Sequence, residues 1–353
     1  MKKLILITVF FVFFTIASWA QKLANLWYLP TMTTYQAENL SQYDLLVIDP
    51  EILVNHSSTL DEMMANNPKL EIFLYINPTE IFEPMWPDKP WSIKLLEELK
   101  TKKSWWLYHP NGEKLGIWAG MKTLDMRANC PEIDGQRYWQ WILDQYLKLL
   151  TDKRISGCLI DNAWGDDRAG IQWLANYNSQ KGLDLNGDKK ADTNWQEINL
   201  AWAKGFHSFF GELRKVKDNL CIIANPGNLS YREVDGKQFE NFPYPHHHLG
   251  GPDWEVNMMI AKKYKIAIIN PDEKDFLLGV ISSLMLDNAF LAVGQNQLYH
   301  DYYNLNLGKA LGKTKEISKG IWFRQFEKGS IFIDTNKGNK AWVEYKDGTK
   351  REK

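Results

Sequence analysis

The 353-residue chain has three cysteines, no excess of charge of either sign, and no apolar run of the ~20 residues needed to span a bilayer. Each shortage excludes something. Cys130, Cys158 and Cys221 are odd in number and lack metal-type spacing, and two of them lie in the apolar runs C-L-I and C-I-I, so buried free thiols are expected. With 42 Lys+Arg against 43 Asp+Glu and no long like-charge block, no electrostatic footprint for a nucleic-acid backbone is visible, and no such partner is expected. No G-x-G-x-x-G follows the first strand-like run, no G-x-S-x-G elbow supports a serine hydrolase, and no H-E-x-x-H marks a zinc protease.

Aromatic residues, by contrast, are plentiful. The 16 Trp, 15 Tyr and 16 Phe rule out a disordered or low-complexity chain, and a length of this order fits two domains or one large barrel. The N-terminus has the three parts of a secretory signal: Lys2 and Lys3, an apolar stretch from Leu4 to Ile16, then Ser18-Trp19-Ala20 before a cleavage point. Residues 1–20 are therefore read as a signal peptide, with no cysteine following for a lipid anchor. The remainder is expected to be secreted or periplasmic, without a membrane span, and monomeric.

After the signal, eight short apolar runs end in polar residues or proline: Leu23–Pro30, Asp44–Pro50, Leu70–Pro78, Gly157–Ala163, Leu220–Gly227, Gln238–Phe242, Tyr264–Pro271 and Leu284–Gly294. Runs such as L-L-V-I and I-A-I-I are continuous rather than alternating, as in strands covered on both faces. Amphipathic helical patterns separate several of them, notably Asp134 to Leu150 and Asn194 to Val216. The alternation predicts an α/β fold, a (β/α)8 TIM barrel over residues 21–316, with a long insertion at 79–156 read as an extended loop region at the mouth. That insertion carries candidate short strands at Lys114–Trp118 and Thr123–Arg127. One crossover is tight: about ten residues between Gly227 and Gln238 leave the fifth helix vestigial or the sixth strand misassigned. Residues 317–353 read as a small C-terminal antiparallel β appendage, from I-W-F-R-Q-F, S-I-F-I-D-T and A-W-V-E-Y.

In such barrels chemistry sits at the carboxyl ends of the strands, so the polar residues that close each run are the candidates. Asp161, at the end of C-L-I-D-N, and Glu240, in Q-F-E-N-F between phenylalanines that would desolvate it, form a candidate catalytic pair. Two carboxyl groups across a pocket are the minimal apparatus for cleaving a glycosidic bond. Asp49, Tyr75, Asn77, Asn162, Asn225 and Asp287 supply the hydroxyl-binding rim. Trp27 and Trp164 are candidate platforms for the C–H faces of sugars, with Trp86, Trp91, Trp105, Trp106 and Trp118 nearby in the insertion.

Asp184, Asn186, Asp188 and Asp192 fall at positions 1, 3, 5 and 9 of a calcium loop, although Lys189 replaces the turn glycine and Trp195 the bidentate glutamate. A structural calcium or a plain polar turn capping the next helix is expected there, and no cofactor is needed for catalysis. His246-His247-His248 reads as loop, since three consecutive histidines cannot all face one ion.

These residues also carry a resemblance. Y-Q-A-E-N-L-S-Q-Y-D-L-L-V-I-D-P-E, F-L-Y-I-N-P, G-C-L-I-D-N, D-L-N-G-D, I-I-A-N-P-G, F-E-N-F and L-G-K-A-L-G, spread from Trp27 to Phe332, resemble hypothetical glycosyl hydrolase family fifteen. That family is similar to the polygalactosaminidase and alpha-galactosidase superfamily. The resemblance implies a (β/α)8 barrel with a β appendage, a nucleophilic Asp ending the fourth strand and an acid/base carboxylate ending the sixth, here Asp161 and Glu240. The expected function is thus an exported glycoside hydrolase acting on a poly- or oligosaccharide, with a retaining mechanism. Two other classes stay open from sequence: a non-catalytic glycan-binding protein on the same scaffold, and a metal-dependent polysaccharide hydrolase or deacetylase using the histidine run.

Overall fold

The computed structural model describes residues 21–164, 170–176, 182–226, 231–243 and 253–352. The signal segment 1–20 and His246–His248 lie outside the described residues. Ten strands come first: β1 (Leu23–Trp27), β2 (Leu45–Ile48), β3 (Glu71–Ile76), β4 (Glu80–Phe82), β5 (Met121–Thr123), β6 (Ile155–Ile160), β7 (Cys221–Ala224), β8 (Gly236–Phe242), β9 (Ile266–Pro271) and β10 (Ala289–Gln295). All but β4 and β5 close a parallel barrel in the order β1-β10-β9-β8-β7-β6-β3-β2. All eight apolar runs therefore became barrel strands. The sixth strand is correctly assigned, since β8 pairs with β7 and β9 in the barrel, and between β7 and β8 no helix occurs among the described residues.

Alternation along these strands builds two separate cores. Inward positions such as Leu26, Val47, Phe73, Leu159, Ile223 and Ile268 fill the barrel, while Trp27, Ile48, Leu74, Ile160 and Ile269 face the helix layer. Gly157 belongs to the inward row, and a Cβ there would stand 2.5 Å from the Phe73 ring and 2.3 Å from the Cys221 carbonyl oxygen. Cys130, Cys158 and Cys221 are free and buried, as expected.

The insertion is more ordered than the sequence reading allowed. It holds the helix Pro90–Thr101, whose first turn is capped by the buried Glu51 carboxylate, accepting from the Trp91 and Ser92 N–H groups at 3.2 and 2.8 Å. Of the two candidate strands, the first is only an isolated bridge between Tyr108 and Lys114. The second shifts to β5, antiparallel to β4. The helix expected from Asp134 starts at Tyr138 instead, because Asp134 is left-handed (φ 53°) and Gln140 caps the Arg137 N–H at 2.9 Å. The helix Trp195–Val216 agrees with its pattern, with Asn194 as N-cap.

Beyond the barrel, β11 (Lys315–Ser318), β12 (Ile321–Gln325), β13 (Gly329–Asp334), β14 (Lys340–Tyr345) and β15 (Lys350–Glu352) form the appendage as one antiparallel sheet. Its buried face, Ile331, Ile333, Ala341 and Val343, joins the outer core beside the helix Phe276–Leu284. Arg324 anchors the sheet, donating to the Leu284 carbonyl at 2.7 Å and pairing with Asp287. No described helix is long and apolar enough to cross a membrane.

Candidate active site

The inward row of each strand, continued one step past the apolar interior, delivers polar side chains to the carboxyl end. Leu26 leads to Tyr28, Val47 to Asp49, Leu159 to Asp161, Ile223 to Asn225 and Ile268 to Asn270. On β8 the inward residue is Glu240. A bulge after it, with Asn241 at φ 56°, turns Phe242 back into the outer core. The phenylalanines flanking Glu240 in sequence thus face away from it, and its desolvation comes from the barrel mouth.

Asp161 and Glu240 meet at one amide. Asn225 Nδ2 donates to Asp161 Oδ1 at 2.8 Å and to Glu240 Oε2 at 3.1 Å. Asp161 accepts two more bonds, from the Tyr75 hydroxyl to Oδ2 at 2.6 Å and from the Asn162 backbone N–H to Oδ1 at 2.9 Å. Burial, reinforced by the Asp161 charge, pushes the Glu240 carboxyl above its ordinary value, against the opposing Asn225 bond. Burial and the same aspartate raise Tyr28 and Tyr75 well above the ordinary phenol range, so both keep their protons and can donate. The Asn225 Oδ1 atom is buried and has no partner among the described residues.

Beside this pair, over β1 to β3, opens a cavity of about 760 Å³ whose walls include Tyr28, Tyr75, Asn77, Glu80, Trp86 and Trp91. Neither Asp161 nor Glu240 lines it directly; the Tyr75 hydroxyl joins the two places. Asp49 lies in its wall, capping the Glu51 N–H at 2.9 Å and paired with Lys89 at 2.5 Å. Asn77 folds its Oδ1 back onto the Thr79 and Glu80 N–H groups at 3.2 and 3.1 Å, which brings β4 across the mouth.

Five expected residues move. Trp27 is 1% exposed and packs outward, its Nε1 donating to the Thr31 carbonyl, because the inward place at the end of β1 belongs to Tyr28. Trp164 is also buried, stacked on Trp173 at 4.6 Å, and does not present an open face. Trp105 and Trp106 are core; Trp86, 50% exposed, and Trp91 do reach the cavity. Asp287 precedes β10 instead of ending it, so it sits at the amino end of the barrel, held by Arg324.

The loop from Asp184 to Asp192 is a polar turn leading into the helix Trp195–Val216. Asp184 accepts from the Gly187 and Lys189 N–H groups at 2.7 and 3.0 Å, Asn186 from Asp188, Asp188 from Lys190, and Asp192 from Leu185. Lys189 takes φ 64° where a calcium loop has its glycine. Among the described residues no group of three or more His, Cys, Asp and Glu side chains is placed to hold a metal, so calcium here rests on the sequence pattern alone.

The sequence reading passed over Glu80, the residue after N-P-T at the end of the third run. It is 4% exposed, bonded by Asn162 Nδ2 at 2.9 Å, and its carboxyl is pushed up to about 7 by burial and then by Asp161. Tyr28 was likewise passed over, hidden behind the more conspicuous Trp27.

A closed parallel α/β barrel with a carboxyl pair joined by an amide at its carboxyl end defines a class of barrel enzymes rather than one reaction. The chain belongs to hypothetical glycosyl hydrolase family 15, whose model matches residues 65–280, a span that includes both Asp161 and Glu240. No curated protein matches it. Among solved structures, the galactosidase domain of the alpha-galactosidase-sucrose kinase AgaSK aligns at 11% identity and TM-score 0.50, over 94% of this chain and 50% of that one. The glycoside hydrolase domain of PelA from Pseudomonas aeruginosa aligns at 11% identity and TM-score 0.47, over 77% of this chain and 94% of that one. A GH36 alpha-galactosidase from Geobacillus stearothermophilus, in complex with 1-deoxygalactonojirimycin, gives 10% and 0.46, over 92% of this chain and 49% of that one. At such identities the likeness is one of fold.

Proposed function

We propose that the protein is an exported glycoside hydrolase that cleaves an O-glycosidic bond of a poly- or oligosaccharide through Asp161 and Glu240. The observation that carries this reading is the shared amide. One nitrogen bonded to both carboxyls at 2.8 and 3.1 Å keeps those two oxygens within about 6 Å of each other, near the ~5–5.5 Å of retaining enzymes and short of the ~6.5–9.5 Å of inverting ones. The family membership and the neighbouring aromatic cavity support the same class of substrate.

In this scheme Glu240, whose carboxyl burial biases toward the protonated form, protonates the glycosidic oxygen while Asp161 attacks the anomeric carbon and the leaving sugar departs as an alcohol. Glu240, now a carboxylate, takes a proton from water, whose oxygen displaces Asp161 and regenerates both groups. Tyr75, Asn162 and Asn225 aim the nucleophile. The buried Asn225 Oδ1 remains as an acceptor for a sugar hydroxyl. Incubating the protein with a panel of bacterial and plant glycans and following new reducing ends tests the activity, and NMR of the first product tests the stereochemistry. Retention of the anomeric configuration is expected; the opposite anomer would replace nucleophilic attack by base-activated water.

A further inference from the structure

The two-step scheme leaves one buried carboxyl at the mouth without a task. Glu80 Oε2 accepts from Asn162 Nδ2 at 2.9 Å, Oε1 accepts from Thr123 Oγ1 at 3.4 Å, and the Ile117 backbone N–H also bonds this group. Asn162 is itself unusual. It stands at φ 51°, a left-handed conformation that a residue with a side chain adopts at a cost unless its surroundings hold it. Its backbone N–H donates to Asp161 Oδ1 at 2.9 Å, and its carbonyl accepts from Thr79 Oγ1 at 3.4 Å. Glu80 and Thr79 both come from the turn that Asn77 folds at the end of β3. One short segment therefore grips both ends of the residue that follows the nucleophile.

We propose that Glu80 is a positioning residue, which clamps the Asn162 amide and thereby holds in place the residue whose backbone N–H aims Asp161. The proposal rests on the reading of Asp161 as nucleophile. A carboxyl suits this task because a second lone-pair site stays available for Thr123 while the first is committed to Asn162, tying the aim of Asp161 to β5 as well as β4. Among the charged groups, Asp161 is the one whose field acts on Glu80.

The test is a double-substitution cycle on the full chain, read by reducing-end release from whichever glycan of the panel is cleaved. Glu80→Ala is expected to lower kcat about 10- to 100-fold with KM within about threefold, since only the reacting geometry is disturbed. Asn162→Ala should lose as much, and the double variant should be no slower than either single one, because both break the same clamp. Glu80→Gln, which still offers Asn162 an acceptor oxygen, should restore most of the rate. Glu80→Ala with unchanged kcat, a lower melting temperature as its sole effect, or losses that multiply in the double variant would each overturn the proposal. The underlying reading fails separately: it falls if Asp161→Asn turns over like the parent or if the parent cleaves nothing, whereas the clamp alone falls if Asp161→Asn is dead and Glu80→Ala is not.

Discussion

The two ends of the barrel hold their best-ordered carboxylates with different partners. At the amino end three are matched to an arginine, Asp152 with Arg154 at 2.7 Å, Asp235 with Arg214 at 2.7 Å, and Asp287 with Arg324, while Asp44 accepts from the Leu23 N–H at 2.8 Å. At the carboxyl end, among the described residues, no Lys or Arg pairs with Asp161, Glu240 or Glu80, which are held by tyrosine, asparagine, threonine and backbone donors instead. Farther out at the mouth, lysines do pair with carboxylates: Lys89 with Asp49, Lys114 with Glu83 at 2.7 Å and Lys274 with Asp272 at 3.6 Å. An arginine partner fixes a carboxylate in its charged state, which serves folding. Neutral donors orient the group and leave its proton free to come and go, which is what acid/base and nucleophilic work require.

This contrast can be broken from either side. The largest effect on stability is expected at the amino end, where Arg324→Ala strips a nearly buried guanidinium of its role between the Leu284 carbonyl and Asp287. Because Asp287 is half exposed, the loss should be about 1–3 kcal/mol by denaturant unfolding, with kcat unchanged. A comparable loss of kcat would show that the two ends are not separable.

A similar magnitude, with a pH signature, belongs to Glu80. Its carboxyl is raised from an ordinary 4.5 to about 7, so the folded state binds the proton more tightly than the unfolded chain. The stabilisation is complete below about pH 4.5 and is lost as pH rises through 7, on the order of 2–3 kcal/mol in all. Comparing chemical unfolding of parent and Glu80→Gln across that window should show the slope flattened in the variant. Equal slopes would mean that Glu80 ionises normally.

The smallest effect is at the cavity rim. Trp86→Ala removes a half-exposed ring and should raise KM several-fold, about 1 kcal/mol of binding, while stability stays within ~0.5 kcal/mol. An unchanged KM would move the sugar path away from this cavity.

Much of this was legible in the sequence, for a physical reason. Strands covered on both faces must be continuously apolar, so L-L-V-I, C-L-I and I-A-I-I announced themselves, and the polar residue after each one marked the mouth. The errors arose where two features merged or phase decided. Leu284–Gly294 joined the last residue of a helix to β10, which carried Asp287 to the wrong end. At the end of β1 a shift of one position separates the outer core from the site, so Trp27 was preferred over Tyr28. Glu80 lies beyond a strand end and enters only through the turn at Asn77 and the pairing of β4 with β5, contacts that no local pattern encodes.

The central claim is that Asp161 and Glu240 carry a glycosidic cleavage and do not hold up the fold. The direct measurement is reducing-end release by the parent, Asp161→Asn and Glu240→Gln on a cleaved glycan, with thermal unfolding of the same samples. The account predicts rates lowered by about 10²–10⁴-fold or more in both variants, with melting temperatures close to the parent's. Parent-like turnover in either variant would contradict it.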